Sequence, residues 1–462
     1  MQPSLPAADR DTTSSPPLIY WFRNDLRLDD NPALLRACRQ AESIVFVYCH
    51  RPTAREMTRW NVARTSEHRQ RFLASALADL ASQLALYNSD LLELEGNPTE
   101  RLPALARVVG AATIYCEEIA APEEQAEVAA LRAAGLKVST VWQSSLLEPA
   151  DLPCTPDALP DVFTHFRTAV ERHKVLPPLP VARPAMIPPL PFAYAGLVEP
   201  CRATGPASSA GWTKASSAPQ AAQHAMPPAG AHASFPYDLA AFSGGASAAA
   251  DHVRQYFERK LAHTYKVTRN GMTGIDYSTK FSPWLASGAL SARTAYAALK
   301  QFEAAHGAND STYWIWFELL WRDYFRLLHW KYGAQLYRAQ GLSKLPPPSH
   351  DERQFQAWCQ ARTGEPLIDA GMAELKNTGY LSNRMRQIVA SYLVHDLGCD
   401  WRAGAAWFES QLLDYDVYSN QGNWLYIAGR GTDPRNGRQF NIAKQIQEHD
   451  PDGTYRRLWN AR

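Results

Sequence analysis

The run Asp414-Tyr415-Asp416-Val417-Tyr418-Ser419-Asn420-Gln421-Gly422-Asn423-Trp424 holds the densest set of groups able to do chemistry. Two carboxylates stand at i and i+2, and the amide of Asn420 follows four residues after Asp416. Such a set can bind hydroxyls or ring N–H groups of a heterocycle. Carboxylates withdrawn from water need a cation, and Asn383-Arg384-Met385-Arg386 is the obvious supplier. A solvated turn uses the same residue types. No His lies close and the spacing matches no strong ligand pattern, so no metal site is expected.

Three further groups invite chemistry. Asp276-Tyr277-Ser278-Thr279-Lys280-Phe281-Ser282 runs into Pro283. Hydroxyls, backbone N–H groups and one Lys at a helix start make an anion seat that suits pyrophosphate; an ordinary N-cap loop has the same composition. On the apolar run Phe317–Arg326, Glu318 and Trp321 are i and i+3 with Arg322 beside them. An acid next to a stacking ring can recognise a base, and a core helix with Glu318 in a buried ion pair explains the same pattern. Trp358, Trp401 and Trp424 invite an electron relay, although packing alone also uses buried Trp.

The elements that must position these groups fall into two regions. Within residues 18–146, β-rich runs at Leu18–Phe22, Ser43–Tyr48, Asp90–Glu95, Ala112–Cys116 and Leu136–Val141 alternate with helical segments Asn31–Gln40, Thr65–Tyr87, Pro98–Val109 and Pro122–Ala134. This alternation predicts a doubly wound parallel α/β sheet. No Gly-x-Gly-x-x-Gly follows the first strand, so a dinucleotide is not expected there; Arg23-Asn24-Asp25-Leu26-Arg27 follows instead. Residues 147–250 read as a connector, with 17 of the 33 Pro between Pro149 and Pro236 and one short helix at Asp161–His173. Its 203–236 part reads as a flexible or loosely packed insertion. Residues 251–462 read as a large all-α domain. Ser291 and Asn383 are the expected N-caps, and Asp414–Asn423 is an expected polar loop between helices.

Composition bounds the partners. The 462 residues carry 47 Lys and Arg against 46 Asp and Glu, but from Asp251 onward the count is 26 against 21, and ten of the 14 Trp lie there. A mildly basic, aromatic-rich half suits nucleic acid or a flat cofactor. No apolar run reaches the length of a membrane span. Met1–Pro17 is polar, is expected to be a disordered tail and has no secretory h-region. The seven scattered Cys suggest free thiols in a reducing compartment, so a cytoplasmic location is expected.

Taken together, these segments resemble the cryptochrome/photolyase family, most closely its DASH branch. Tyr20-Trp21-Phe22-Arg23-Asn24-Asp25-Leu26-Arg27 looks like its N-terminal signature. Thr268-Arg269-Asn270-Gly271-Met272 leading into Asp276–Pro283 looks like its flavin phosphate loop. Phe317–Phe325, Asn383–Gln387, Asp414–Gly429 and Gly431-Thr432-Asp433-Pro434-Arg435 match in order and spacing. The resemblance implies an antenna-type α/β domain, a connector and an all-α FAD-binding domain. It implies that Tyr265 and Ser278, Thr279, Lys280, Phe281 and Ser282 hold the flavin phosphates. Arg386 would pair with Asp414, Asp416 would meet flavin-side polar groups and Asn420 would face N5. Glu318, Trp321, Arg322, Asn383, Arg384 and Tyr426 would line a lesion pocket. Trp401 and Trp424 would be the inner members of a photoreduction relay, and Glu118 would mark an antenna site for methenyltetrahydrofolate.

Departures from the family pattern shape the expectation. Pro348 stands where the outer relay Trp belongs, with Trp330 or a Tyr as the substitute. Tyr426 replaces the Trp of duplex-repairing relatives, and Gln387 replaces their Met. The expected activity is light-dependent repair of cyclobutane pyrimidine dimers, preferentially in single-stranded DNA, by electron transfer from reduced FAD. The alternative is a signalling photoreceptor with little repair activity.

Overall fold

The computed structural model describes residues 15–51, 56–194, 212–214, 232–435 and 437–460. Residues 1–14 of the expected tail and most of the 203–236 insertion lie outside them. Ser15, the first described residue, already hydrogen-bonds the Glu42 carboxylate through its amide and hydroxyl.

Five strands run parallel: β1 (Leu18–Phe22), β2 (Ile44–His50), β3 (Leu91–Glu95), β4 (Thr113–Glu117) and β5 (Lys137–Val141). The central strands β1, β2 and β4 are short, largely apolar runs buried from both faces, as a sheet with helices on both sides requires, while the outer β5 is only part-buried. In β1, Leu18, Tyr20 and Phe22 enter one core, while Ile19 and Trp21 enter the other. The crossovers are α1 (Pro32–Gln40), α2 (Glu67–Ala85), α3 (Pro98–Val109) and α4 (Pro122–Ala133). The strand order is β5-β4-β1-β2-β3-β6. The sixth strand, β6 (Trp212–Lys214), pairs antiparallel with β3, so part of the insertion read as flexible or loosely packed joins the sheet. The insertion's end is also core: Phe235 is fully buried against Phe72, Trp284 and Tyr380.

After α5 (Phe163–Arg172) the chain becomes helical from α6 (Ala246–Glu258). There follow α7 (Tyr265–Thr268), α8 (Ser282–Ser287), α9 (Ala292–His306), α10 (Asp310–Tyr332), α11 (Glu352–Cys359), α12 (Pro366–Thr378), α13 (Asn383–Ser391), α14 (Trp401–Gln411), α15 (Val417–Ile427), α16 (Ile442–His449) and α17 (Thr454–Asn460). Ser291 caps α9 as expected. The cap of α13 is Ser382, not Asn383: its hydroxyl accepts from the Met385 amide, and Asn383 is the first helical residue. α13 ends at Ser391, where Tyr392–Asp396 widens into a π turn. The expected loop Asp414–Asn423 is mostly helix. Asp416 is the N-cap of α15, its carboxylate accepting from the Ser419 amide at 2.8 Å. Capping preference and loop preference share the same residues, so the sequence pattern could not separate them.

The two domains are joined where β1 and β4 part, the place where open sheets usually take ligands. Here the helical domain fills it. Arg326 on α10 lies 3.2 Å from Glu117 at the end of β4, and both are buried. Asp323 accepts the Leu146 and Leu147 amides at 2.8 and 2.7 Å. Arg27 donates to the Gly288 carbonyl at 2.8 Å. Gly288 has φ +74°, and a Cβ there would sit 1.9 Å from the Asn24 oxygen. The Arg23–Arg27 segment is therefore a domain seam, which explains why no glycine-rich phosphate loop stands there.

Candidate functional site

The loop before α8 and the start of α13 build one buried polar seat. Lys280 has φ +58° and is 1% exposed. Its ammonium sits 3.3 Å from the centre of the Tyr277 ring and 4.9 Å from that of Tyr380, with no hydrogen-bond partner. Burial drives its pKa well down, against the pull of Glu374. Burial pushes the Tyr380 hydroxyl pKa up, and Ser278 and Ser282 partly offset that rise. Arg386 donates to Asp414 Oδ2 at 2.8 Å and to the Leu381 carbonyl at 3.0 Å, while Asp414 Oδ1 is buried without a partner. A buried ammonium and a buried carboxylate oxygen, both unsatisfied, are costly unless a ligand completes them. A molecule carrying a diphosphate and polar ring groups does so, and FAD fits. Thr279 and Phe281 shape the loop from behind: the Thr279 carbonyl accepts from His252, and the Phe281 ring packs edge-on to Tyr256. Tyr265 is buried on α7.

The second carboxylate has different counter-charges from those expected. Although burial raises Asp416, Arg322 and Arg326 hold its pKa below the usual range. Arg322 itself donates to the carbonyls of Ser144 at 2.6 Å and Leu285 at 3.1 Å. It thus serves Asp416 and the seam rather than the expected lesion pocket. Burial lowers its pKa to about 10. Asn420, one turn into α15, gives its amide N–H to the Ala405 carbonyl at 3.1 Å.

An open pocket lies between α5, α10 and α15, lined in part by Phe163, Trp321, Phe325, Tyr426 and Arg435. Trp321 stacks on Phe163 with ring centres 3.7 Å apart and faces Tyr426 at 6.3 Å. The Tyr426 hydroxyl accepts from Arg435 at 3.2 Å and from Arg438. Glu318, a third exposed, is ion-paired to Arg269. Arg384 donates to Asn270 at 3.0 Å, and Asn383 is exposed. Arg269, Tyr380, Arg435 and Arg438 were not singled out as site residues from sequence. Arg269 and Arg435 stood within quoted motifs, but only folding brings them to their partners.

The aromatic residues divide into two groups. Trp424 is buried with its N–H unpaired, its ring 6.4 Å from Trp358 and 5.1 Å from Phe408. Trp401, one turn before Gly404 on α14, donates to the Ala339 carbonyl. A Cβ on Gly404 would lie 2.1 Å from the Trp424 ring, so a glycine is needed for that indole to lie across α14. Trp330 stacks on Trp142 at 5.6 Å. Glu118 is half-buried at the end of β4, giving its amide to the Val141 carbonyl. Nearby, Glu117 Oε2, Trp142 Nε1 and the Ser144 and Ser145 hydroxyls are buried without partners.

Residues 18–185 match the family model described as DNA photolyase, and residues 314–461 match the one described as FAD binding domain of DNA photolyase. Cryptochrome DASH of Synechocystis sp. is 41% identical over 453 residues, 96% of this chain and 87% of the relative. That of Xenopus laevis is 43% identical over 461 residues, 96% and 82% of the two chains. Among solved structures, a Synechocystis sp. cryptochrome superposes with a TM-score of 0.85 at 40% identity, over 96% of this chain and 89% of that one. A class III photolyase of Agrobacterium tumefaciens gives 0.73 at 26% identity, over 98% and 88%.

Proposed function

The chain belongs to the cryptochrome/photolyase family, within its DASH branch, and from that premise we propose that it splits cyclobutane pyrimidine dimers in light, preferentially in single-stranded DNA. It is a light-responsive flavoprotein. FAD, when bound and reduced, supplies the light-driven electron that opens the dimer and receives it back. The chain's own residues do the rest. Lys280, Ser278 and Ser282 hold the phosphates, and the Arg386–Asp414 pair and Asn420 orient the ring. Glu318 accepts hydrogen bonds from the dimer and steadies its negative charge.

The Trp321–Tyr426 pair, packed edge to face and lining an open pocket, carries the repair reading. Trp321 and Tyr426 meet edge to face with ring centres 6.3 Å apart and form one aromatic wall, against which a pyrimidine dimer turned out of the stack can rest. Flipping from duplex costs a few kcal/mol, less where the strand is already open. Tyr426 offers less stacking surface than Trp, and base–aromatic stacking is worth roughly 1–3 kcal/mol per base. The small positive balance of the helical half adds limited phosphate attraction. A methenyltetrahydrofolate antenna at the strand ends near Glu118, and a cytoplasmic location, complete the proposal.

The test is illumination of the FAD-loaded protein with matched single-stranded and duplex oligonucleotides bearing one dimer, followed by counting restored pyrimidines. Faster restoration in single strands is expected. Light-driven flavin reduction with no restored pyrimidines would assign the chain to signalling instead.

A further inference from the structure

Trp60 belongs to the α/β domain, in a short turn before α2 that the Met57–Ala63 bridge closes. The Thr58 amide donates to the Val62 carbonyl at 2.8 Å, and Asn61, at φ +53°, turns the chain back beside it. The Trp60 indole is half-buried and packs against the core of the helical domain. The His350 ring meets it at 4.8 Å between centres, and the Arg402 guanidinium lies 5.9 Å from its centre. His350 is two residues after Pro348, and Arg402 directly follows Trp401. Those two segments are tied together: Ser349 donates to the Gly398 carbonyl at 2.9 Å, and Cys399 to the Asp351 carbonyl at 3.4 Å. Trp60 thus brings an indole from a distant part of the chain to the neighbourhood of Pro348. Inward from it the rings are continuous. His350 lies 5.5 Å from Phe355, Phe355 lies 6.3 Å from Trp358, and Trp358 lies 6.4 Å from Trp424, all between centres. Trp424 stands one turn beyond Asn420 on α15.

We propose that Trp60 is the outer, solvent-side member of the photoreduction relay, supplied by the α/β domain in place of a residue at position 348. The inference rests on the flavin reading above. Trp358, Trp401 and Trp424 are all buried, so a dissolved reductant reaches none of them directly. Trp60 is where the line of rings meets solvent. Electron tunnelling falls steeply with the gap between oxidisable rings, and packed Phe355 and His350 bridge the gap between Trp358 and Trp60. When light draws one electron from Trp424, Trp358 and then Trp60 replace it in turn, and Trp60 is left one electron short. Arg402 and Arg59, the latter 4.3 Å from the ring centre, disfavour positive charge there, so the oxidised indole gives its N–H proton to water. A dissolved thiol returns an electron and a proton to the ring, and two of the resulting thiyl radicals couple as a disulfide.

The test is illumination of the full-length, FAD-loaded protein without oxygen, with dithiothreitol as the donor. Trp60→Phe is expected to slow photoreduction about tenfold, with FAD content and melting temperature close to wild type. Trp60→Tyr, which restores an oxidisable ring, should recover much of the rate. A second readout locates the radical itself: a nitroso spin trap added during illumination without the thiol, followed by peptide mass spectrometry, should mark Trp60 in the wild type. Wild-type photoreduction in Trp60→Phe, with Trp424→Phe slow, would overturn this inference and leave the flavin reading standing. Equal slowing in Trp60→Phe and Trp60→Tyr with a lowered melting temperature would make Trp60 a packing residue and overturn it too. So would a trapped radical on Trp330 with none on Trp60. A wild-type chain that takes up no FAD would refute the flavin reading and this inference with it.

Discussion

Arg269 Nη2 lies 2.5 Å from Glu318 Oε1, tying the end of α7 to α10. Burial raises the Glu318 carboxyl, and Arg269 pulls it back down. Both side chains keep some exposure, 19% for Arg269 and 33% for Glu318, so the pair can open to a ligand. In the dimer-binding reading, Arg269 keeps Glu318 ionised and aimed, and Glu318 shares its oxygens between Arg269 and the bound base.

Removing that cation should therefore let Glu318 hold its proton to higher pH. Arg269→Gln is expected to displace the pH profile of dimer binding upward relative to wild type, with FAD content unchanged. Fluorescence anisotropy of a dimer-bearing oligonucleotide across a pH series measures it. An identical profile would show that Arg269 does not set the charge on Glu318.

Asn420 gives one amide hydrogen to Ala405, so its side-chain orientation is fixed by α14. Asn420→Ala should change which flavin redox state accumulates under illumination, seen as altered absorption bands. Ala405 keeps its carbonyl in that variant, so stability should fall by only about 1 kcal/mol, the worth of one net hydrogen bond.

Trp424→Phe should slow photoreduction by an external donor about tenfold or more, since Phe is much harder to oxidise, while thermal stability changes modestly. Gly404→Ala provides the geometric counterpart. Its new methyl collides with the Trp424 ring, so it should shift Trp fluorescence and destabilise by about 1–3 kcal/mol, the usual penalty of overpacking. Unchanged photoreduction in Trp424→Phe would mean that the electron enters by another route.

Tyr426→Trp should improve duplex repair through added stacking surface. The gain should stay below the about fivefold expected from 1 kcal/mol, because the hydroxyl that receives Arg435 and Arg438 is lost with Tyr. Repair rates on single-stranded and duplex substrates at one salt concentration measure it. A ratio that does not move would remove Tyr426 as the cause of strand preference.

Glu374, buried on α12, gives the fold a pH dependence of definite sign. Its pKa is raised to about 7, with burial outweighing Tyr455, Ser234, Lys280 and Arg386, whereas an unfolded Glu titrates near 4.3. Between about pH 4.5 and 7 the folded chain binds more protons at this residue than the unfolded one, so its contribution to stability falls as pH rises. The change is of order 3 kcal/mol. Glu374→Gln, which cannot ionise, should flatten the melting temperature of the apoprotein across that interval. An equal pH slope in both proteins would exclude Glu374 as its source.

The sequence by itself determined the elements and their order. The five parallel strands, the helices between them and the later helical region follow from apolar periodicity and capping, which are local properties of the chain. The motifs around Asp414–Trp424, Ser278–Ser282 and Glu318–Trp321 also carry the family resemblance. Tertiary structure decided which charge meets which. Arg386 does meet Asp414, but Asp416 draws its cations from Arg322 and Arg326 on α10, and Glu318 draws Arg269. It also decided that the Arg23–Arg27 segment seals a domain seam and that Phe235, in a stretch read as loose, is core. Spacing along a chain constrains neighbours within a helix or strand. Contacts between distant segments depend on how whole elements pack, so a partner far away in sequence leaves no local pattern.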